Sequence, residues 1–75
     1  MENKLKDIFA IIFEVDVSAI NNDSSPDNIE SWDSMNHMNL ILAIEEEFQL
    51  KILDDDAVEL LSFSEAISYV KQQKA

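Results

Sequence analysis

The sequence predicts an all-α protein: a small four-helix bundle of three longer helices and one short one, with a long loop between helices one and two. Three observations carry this. Apolar residues recur at helical spacing in separate segments, and the interval from Asp16 to Asp33 is rich in Asn, Asp and Ser and holds the only proline, Pro26. The 47% hydrophobic content is ample for a core in a chain of 75 residues. Residues 1–75 are read as a single domain, near the size at which burial only just offsets the entropy lost on folding. A deep enzyme cleft is not expected.

Leu5, Ile8, Phe9, Ile12 and Phe13 follow the i, i+3, i+4, i+7, i+8 spacing of one helix face, which predicts a first helix over residues 2–15. The loop that follows is expected to be anchored by Val17, Ile20 and Ile29. A second helix is predicted from Ser34 to Phe48, with Asp33 as its N-cap because a carboxylate there accepts from the free amides of the first turn. A short helical turn is expected from Asp55 to Leu60, capped by Asp54, Asp55 or Asp56. Ser62-Phe63-Ser64-Glu65 reads as a capping box, with Leu61 and Ala66 as its hydrophobic staple. The last helix should span Phe63 to Gln73, with Phe63, Ala66, Ile67 and Val70 inward and Lys71 and Lys74 near its negative end. The chain has no glycine, so helix stops must rely on Asn, Asp and tertiary contacts.

Sixteen acidic against five basic residues leave a formal charge of -11. Nucleic acid and anionic membrane are excluded as partners, because each approach to a phosphate is repulsive and no Lys/Arg cluster exists to release counterions. The expected partners carry basic patches. Without cysteine there is no disulfide, no thiolate metal site and no protein thiol for thioester chemistry. If such chemistry occurs, a cofactor must bring the sulfur. The N-terminus lacks a secretory pattern, and no apolar run approaches the roughly 20 residues of a membrane span. A cytoplasmic location is the expectation. Asp54-Asp55-Asp56 with Glu59 lacks the spaced ligands and glycine of a calcium loop, so a solvated acidic face and no metal site are expected.

At about 100° per residue, the second helix places His37, Leu40, Ile41, Ile44 and Phe48 on one broad side, which is the predicted core face. Nearly opposite lie Met35, Met38 and Leu42, with Asn39 and Glu46 beside them. This strip either packs under the long loop or stands free as a docking surface, for which methionine is suited by its adaptability. Trp32, the sole tryptophan, is expected to pack on the core from the loop.

Ser34 stands at the start of this helix and admits three readings. It is a helix-start serine, a nucleophile with His37 one turn on and Asp33 adjacent, or an attachment point for a phosphodiester beside free helix amides. A nucleophile needs an oriented base, an oxyanion hole and a substrate pocket, which a small bundle without glycine does not offer. No catalytic residue is therefore expected, and His37 is read as partly buried and bonded to a loop carbonyl.

Asp33-Ser34-Met35, followed by Leu40-Ile41-Leu42-Ala43-Ile44-Glu45-Glu46-Glu47-Phe48, resembles the Asp-Ser-Leu motif and following helix of acyl carrier proteins. The likeness extends over nearly the whole chain, including the acidic Asp54-Asp55-Asp56-Ala57 segment and Ala66-Ile67-Ser68-Tyr69-Val70. It implies that Ser34 carries phosphopantetheine, taken from coenzyme A, whose thiol holds acyl groups as thioesters. It implies that Asp33 assists the phosphopantetheinyl transferase, and that Met35, Met38, Asn39, Leu42, Glu45 and Glu46 meet acyl-loading and acyl-transferring enzymes. The carrier is expected to be freestanding and monomeric.

Ser31-Trp32 stands where typical fatty acid carriers have Gly-x. Asn36, His37, Met38 and Asn39 leave the early helix uncharged, and Leu53 replaces the usual proline. These departures point to a specialised rather than a housekeeping pathway. Aminoacyl or peptidyl carriers share the serine and the bundle, and an unmodified acidic adaptor shares the surface; both stand as alternatives.

Overall fold

The structure is a computed structural model that describes residues 2–74. Four α-helices follow in order, α1 (Glu2–Phe13), α2 (Ser34–Phe48), α3 (Asp54–Ala57) and α4 (Phe63–Lys74), with one 3-10 turn at Val17–Ala19 in the long loop. No strand is present among the described residues. The architecture is the all-helical bundle that the sequence predicts.

The core forms where the three long helices turn their apolar stripes together. Leu5, Phe9 and Phe13 of α1, Leu40, Ile41, Ile44 and Phe48 of α2, and Phe63, Ala66, Ile67 and Val70 of α4 are all buried. Ile8 and Ile12 lie half-buried against them. Aromatic rings tie the elements: Phe9 meets Phe13, Trp32 and Phe63 edge-on, with ring centroids 5.7, 5.6 and 5.0 Å away. Trp32 also stacks on Phe13 at 4.7 Å, so the end of the loop is fixed to α1 by ring contact.

The loop is held by its own polar groups as well as by Ile20 and Ile29, both buried. Val17 is exposed, against expectation, because Asp16 caps the 3-10 turn and turns that residue outward. The amide and hydroxyl of Ser18 both bond the Asp16 carboxylate at 3.0 Å and hold its pKa below the ordinary 3.8. Ser24 is buried, accepts from Asn21 N at 2.9 Å, and its carbonyl receives Phe63 N at 2.9 Å, which joins the loop to the start of α4. Ser31 Oγ donates to Phe13 O at 2.7 Å and closes the far end of the loop onto α1.

Helix α1 stops two residues before the predicted Val15. Glu14 adopts φ 55°, and Val15 N reaches back to Ala10 O at 3.1 Å, the six-to-one bond of a Schellman stop. Helix α2 ends the same way, with Gln49 at φ 52° and Leu50 N bonded to Glu45 O at 3.2 Å. The two stops therefore use Glu and Gln in the left-handed region, rather than the Asn or Asp expected in a chain without glycine. A side chain with a Cβ is strained there, so Gln49→Gly is expected to raise stability by about 0.5–1 kcal/mol. Urea titration followed by circular dichroism reads this as a higher midpoint at unchanged slope; a lower midpoint would refute it.

The short helix also departs from expectation. It begins at Asp54 rather than Asp55, and its N-cap is Leu53, which makes no side-chain cap bond. Asp54, Asp55 and Asp56 fall inside the first turn instead, where their charges face the positive helix end. Asp56 accepts from the Tyr69 hydroxyl at 3.0 Å; desolvation and this neighbouring carboxylate raise the pKa of that phenol above its ordinary 10.0.

At α4, Ser62 Oγ accepts from Glu65 N at 3.1 Å and donates to Glu65 Oε1 at 3.1 Å. The capping box thus closes through the hydroxyl. Leu61, expected to staple onto Ala66, is instead 46% exposed, while Ala66 is buried. Helix α4 runs one residue beyond Gln73, and Lys74 Nζ donates to Phe48 O at 3.1 Å, satisfying a carbonyl at the C-terminal end of α2. One ion pair, Lys4 with Glu47 at 4.0 Å, is present among the described residues, and both side chains are largely solvated.

Candidate functional site

The N-terminus of α2 is where the loop, α1, α2 and α3 converge. Asp33 has extended backbone angles and its Oδ1 accepts from Asn36 N at 2.8 Å, while its carbonyl accepts from His37 N at 2.8 Å. Asp33 is the cap that the sequence predicts, and the Ser34 hydroxyl is not needed for capping. Ser34 is the first helical residue and is exposed. Its amide and that of Met35 belong to the set that a helix start leaves without an intrahelical partner. Positive helix-end charge is thus concentrated beside an accessible hydroxyl.

Side chains hold this turn rigidly. Asn36 Nδ2 donates to Ser31 O at 2.8 Å, so the first turn of α2 grips the loop that leads into it. Trp32 Nε1 donates to His37 Nδ1 at 3.0 Å, and the two rings lie nearly parallel with centroids 6.1 Å apart. Because Nδ1 accepts, the proton sits on Nε2, which donates to Ala57 O at 2.7 Å. His37 is half-buried and bonded to a backbone carbonyl, as expected, although the carbonyl belongs to the end of α3. Both ring nitrogens are committed to structural bonds, which leaves neither free to take a proton from Ser34.

The strip opposite the core face is exposed. Met35, Met38 and Leu42 are 75%, 59% and 55% accessible, so the long loop does not cover them. Asn39 and Glu46 are exposed beside them. Glu45 is half-buried, and its Oε2 accepts from Ile52 N at 2.8 Å, which ties α2 to the segment before α3. Of the six residues expected on this surface, two are held by side-chain bonds, Glu45 in this way and Asn39 through Nδ2 donating to Asn36 Oδ1 at 3.4 Å.

Trp32 both packs on the core and borders the site. Together with Pro26, Asp33, Ser34, His37, Val58 and Leu61 it lines an open depression of about 480 Å³. From the sequence Pro26 is read only as a loop residue, Val58 has no assigned role, and Leu61 is read only as a staple. One signal does exist for the last: Leu60 and Leu61 are adjacent, so in a tight turn only one of them faces the core. Among the described residues no three acidic or histidine side chains converge to hold a metal ion, and no helix is long and apolar enough to cross a membrane.

Comparison with known proteins gives a consistent result. No family model matches the chain. It is 36% identical over 72 residues to the acyl carrier protein of Lactobacillus acidophilus, spanning 96% of this chain and 90% of that one. It is 37% identical over 73 residues to the acyl carrier protein of Buchnera aphidicola, spanning 97% and 92%. The solution structure of a holo acyl carrier protein from Geobacter metallireducens superposes with a TM-score of 0.84 at 26% identity, covering 96% of this chain and 83% of that one. With relatives more than one-third identical along nearly its whole length and a shared bundle, the chain belongs to the acyl carrier protein family, whose members are carriers rather than enzymes.

Proposed function

We propose that this chain is a freestanding carrier, modified on Ser34 with phosphopantetheine taken from coenzyme A. The observation that carries the reading is the placement of Ser34: an exposed hydroxyl on the first residue of a fifteen-residue helix, with the cap supplied by its neighbour Asp33. A phosphodiester at that atom meets unpaired amides and the positive helix end, and an open depression beside it leaves room for the arm. The residues present therefore fit the group. The solved relative that shares the fold is itself a holo carrier. When bound, the group supplies a thiol on which acyl groups travel as thioesters between enzymes.

Asp33 has two roles in this reading: it fixes the helix start through Asn36 N, and its second carboxylate oxygen assists the phosphopantetheinyl transferase during modification. Met35, Met38, Asn39, Leu42, Glu45 and Glu46 form the face that meets the transferase and the acyl-loading and acyl-transferring enzymes. Its apolar strip supplies contact area, and the flanking carboxylates attract basic patches. The carrier acts as a monomer in the cytoplasm. Asn36 to Asn39 carry no carboxylate, so steering by a basic partner acts on the second half of α2; with Trp32 beside the serine, this supports a specialised pathway rather than housekeeping fatty acid synthesis.

Incubation with coenzyme A, magnesium and a broad-specificity phosphopantetheinyl transferase is expected to raise the intact mass by one phosphopantetheine group. Ser34→Ala is expected to show no gain at all. An unchanged wild-type mass would overturn the reading and leave the unmodified adaptor in its place.

A further inference from the structure

The strip opposite the core face of α2 is where the described residues expose their sulfur. Of the three methionines, Met1 lies outside the described residues, and Met35 and Met38 are 75% and 59% accessible, about one helical turn apart. Met35 follows Ser34 directly, so both thioethers stand beside the exposed hydroxyl. The other side chains that oxidants attack are withheld. The chain has no cysteine, Trp32 is buried with its indole N–H on His37, and both nitrogens of His37 are engaged.

A thioether needs only access to react, and hydrogen peroxide, being neutral, is not repelled by a chain of formal charge -11. The sulfur lone pair attacks one peroxide oxygen, the S–O bond forms as the O–O bond breaks, and the departing oxygen takes up the remaining proton and leaves as water. Sulfur is oxidised by one electron pair and peroxide reduced by the same pair. The product is a sulfoxide, polar and chiral where the side chain was apolar and adaptable.

Inside a core that change disrupts packing. Here neither side chain belongs to the buried cluster or to the half-buried residues packed against it, so the bundle has nothing resting on them. Oxidation therefore alters the docking face and spares the fold.

We propose that Met35 and Met38 are a reversible oxidation site, at which a peroxide turns the strip beside Ser34 polar and weakens docking of the enzymes that modify and load the carrier. The inference rests on Ser34 as the attachment point and on this strip as the docking face, and the test reads attachment first.

Apo protein is treated with hydrogen peroxide, desalted and mapped by mass spectrometry of its peptides. Met35 and Met38 are each expected to gain one oxygen atom, and oxygen on neither residue overturns the site. Circular dichroism is expected to give the same thermal midpoint before and after treatment. A lower midpoint assigns any loss of function to a damaged bundle and overturns the inference.

Untreated and oxidised protein are then incubated with coenzyme A, magnesium and a broad-specificity phosphopantetheinyl transferase. Without a mass gain in the untreated form, attachment at Ser34 fails and this inference with it. In the oxidised form kcat/KM is expected to fall by about tenfold, mostly through KM, because apolar contact made on docking is lost. Methionine sulfoxide reductase is expected to restore the untreated value. Equal rates for the two forms overturn the inference and leave the attachment standing. The double variant Met35→Leu, Met38→Leu, compared only with its own untreated form, is expected to show no change on peroxide treatment. A fall in that variant traces the effect to another residue and overturns the site.

Discussion

Phe9→Ala is expected to lower stability by about 3–5 kcal/mol, a loss comparable with the whole stability of a chain of this size, about 4–11 kcal/mol. Phe9 is fully buried and meets rings from α1, the loop and α4 at once. Removing it vacates a position where these three elements meet, and the rings around it cannot close the gap without leaving their own partners. Urea titration followed by circular dichroism at 222 nm measures the loss. A change below about 1 kcal/mol would mean that the site collapses and refills, which the edge-on geometry of its neighbours opposes. Phe63 lies 5.0 Å away, so Phe9→Ala and Phe63→Ala are expected to destabilise together by less than the sum of their separate effects.

His37→Ala carries the second-largest expected effect, a loss of about 2–3 kcal/mol. The substitution leaves two part-buried groups without partners, the Trp32 indole N–H and the Ala57 carbonyl, which the imidazole now satisfies. In a Trp32→Phe background the indole donor is already gone, so the same substitution is expected to cost about 1 kcal/mol less. That difference is the quantity to measure. Equal losses in both backgrounds would show that the Trp32–His37 bond contributes nothing.

These expectations depend on contacts that were legible to different degrees in the chain. Helix α2 was readable to the residue, from Ser34 to Phe48, because its signals are local: a cap at Asp33 and an apolar stripe that stays in register for four turns. The end of α1 was not, because Glu14 in the left-handed region has no distinguishing sequence mark. The start of α3 was missed for a related reason. Three successive aspartates each suit a cap, and the backbone placed the cap at Leu53 instead.

Near the candidate site, Asp33 was legible as a cap because a helix start has a chemical signature, whereas the reading of Ser34 as an attachment point comes from the resemblance to carriers. The partner of His37 was foreseen only as a carbonyl, since Ala57 lies twenty residues away and no periodicity links the two. The depression itself was invisible. Its walls come from Pro26 in the loop and from Val58 and Leu61 beside α3, brought together only by the packed core beneath them.

The imbalance of charge has a further consequence. With sixteen acids against five bases and a single solvated ion pair among the described residues, the folded state repels itself, and added salt screens that repulsion over about 10 Å at 0.1 M. The same salt is expected to weaken attraction to the basic partners proposed for it. On the proposed function, ionic strength acts as two opposed settings, hardening the fold as it loosens the hand-over of cargo, so the conditions that favour its persistence are not those that favour its traffic.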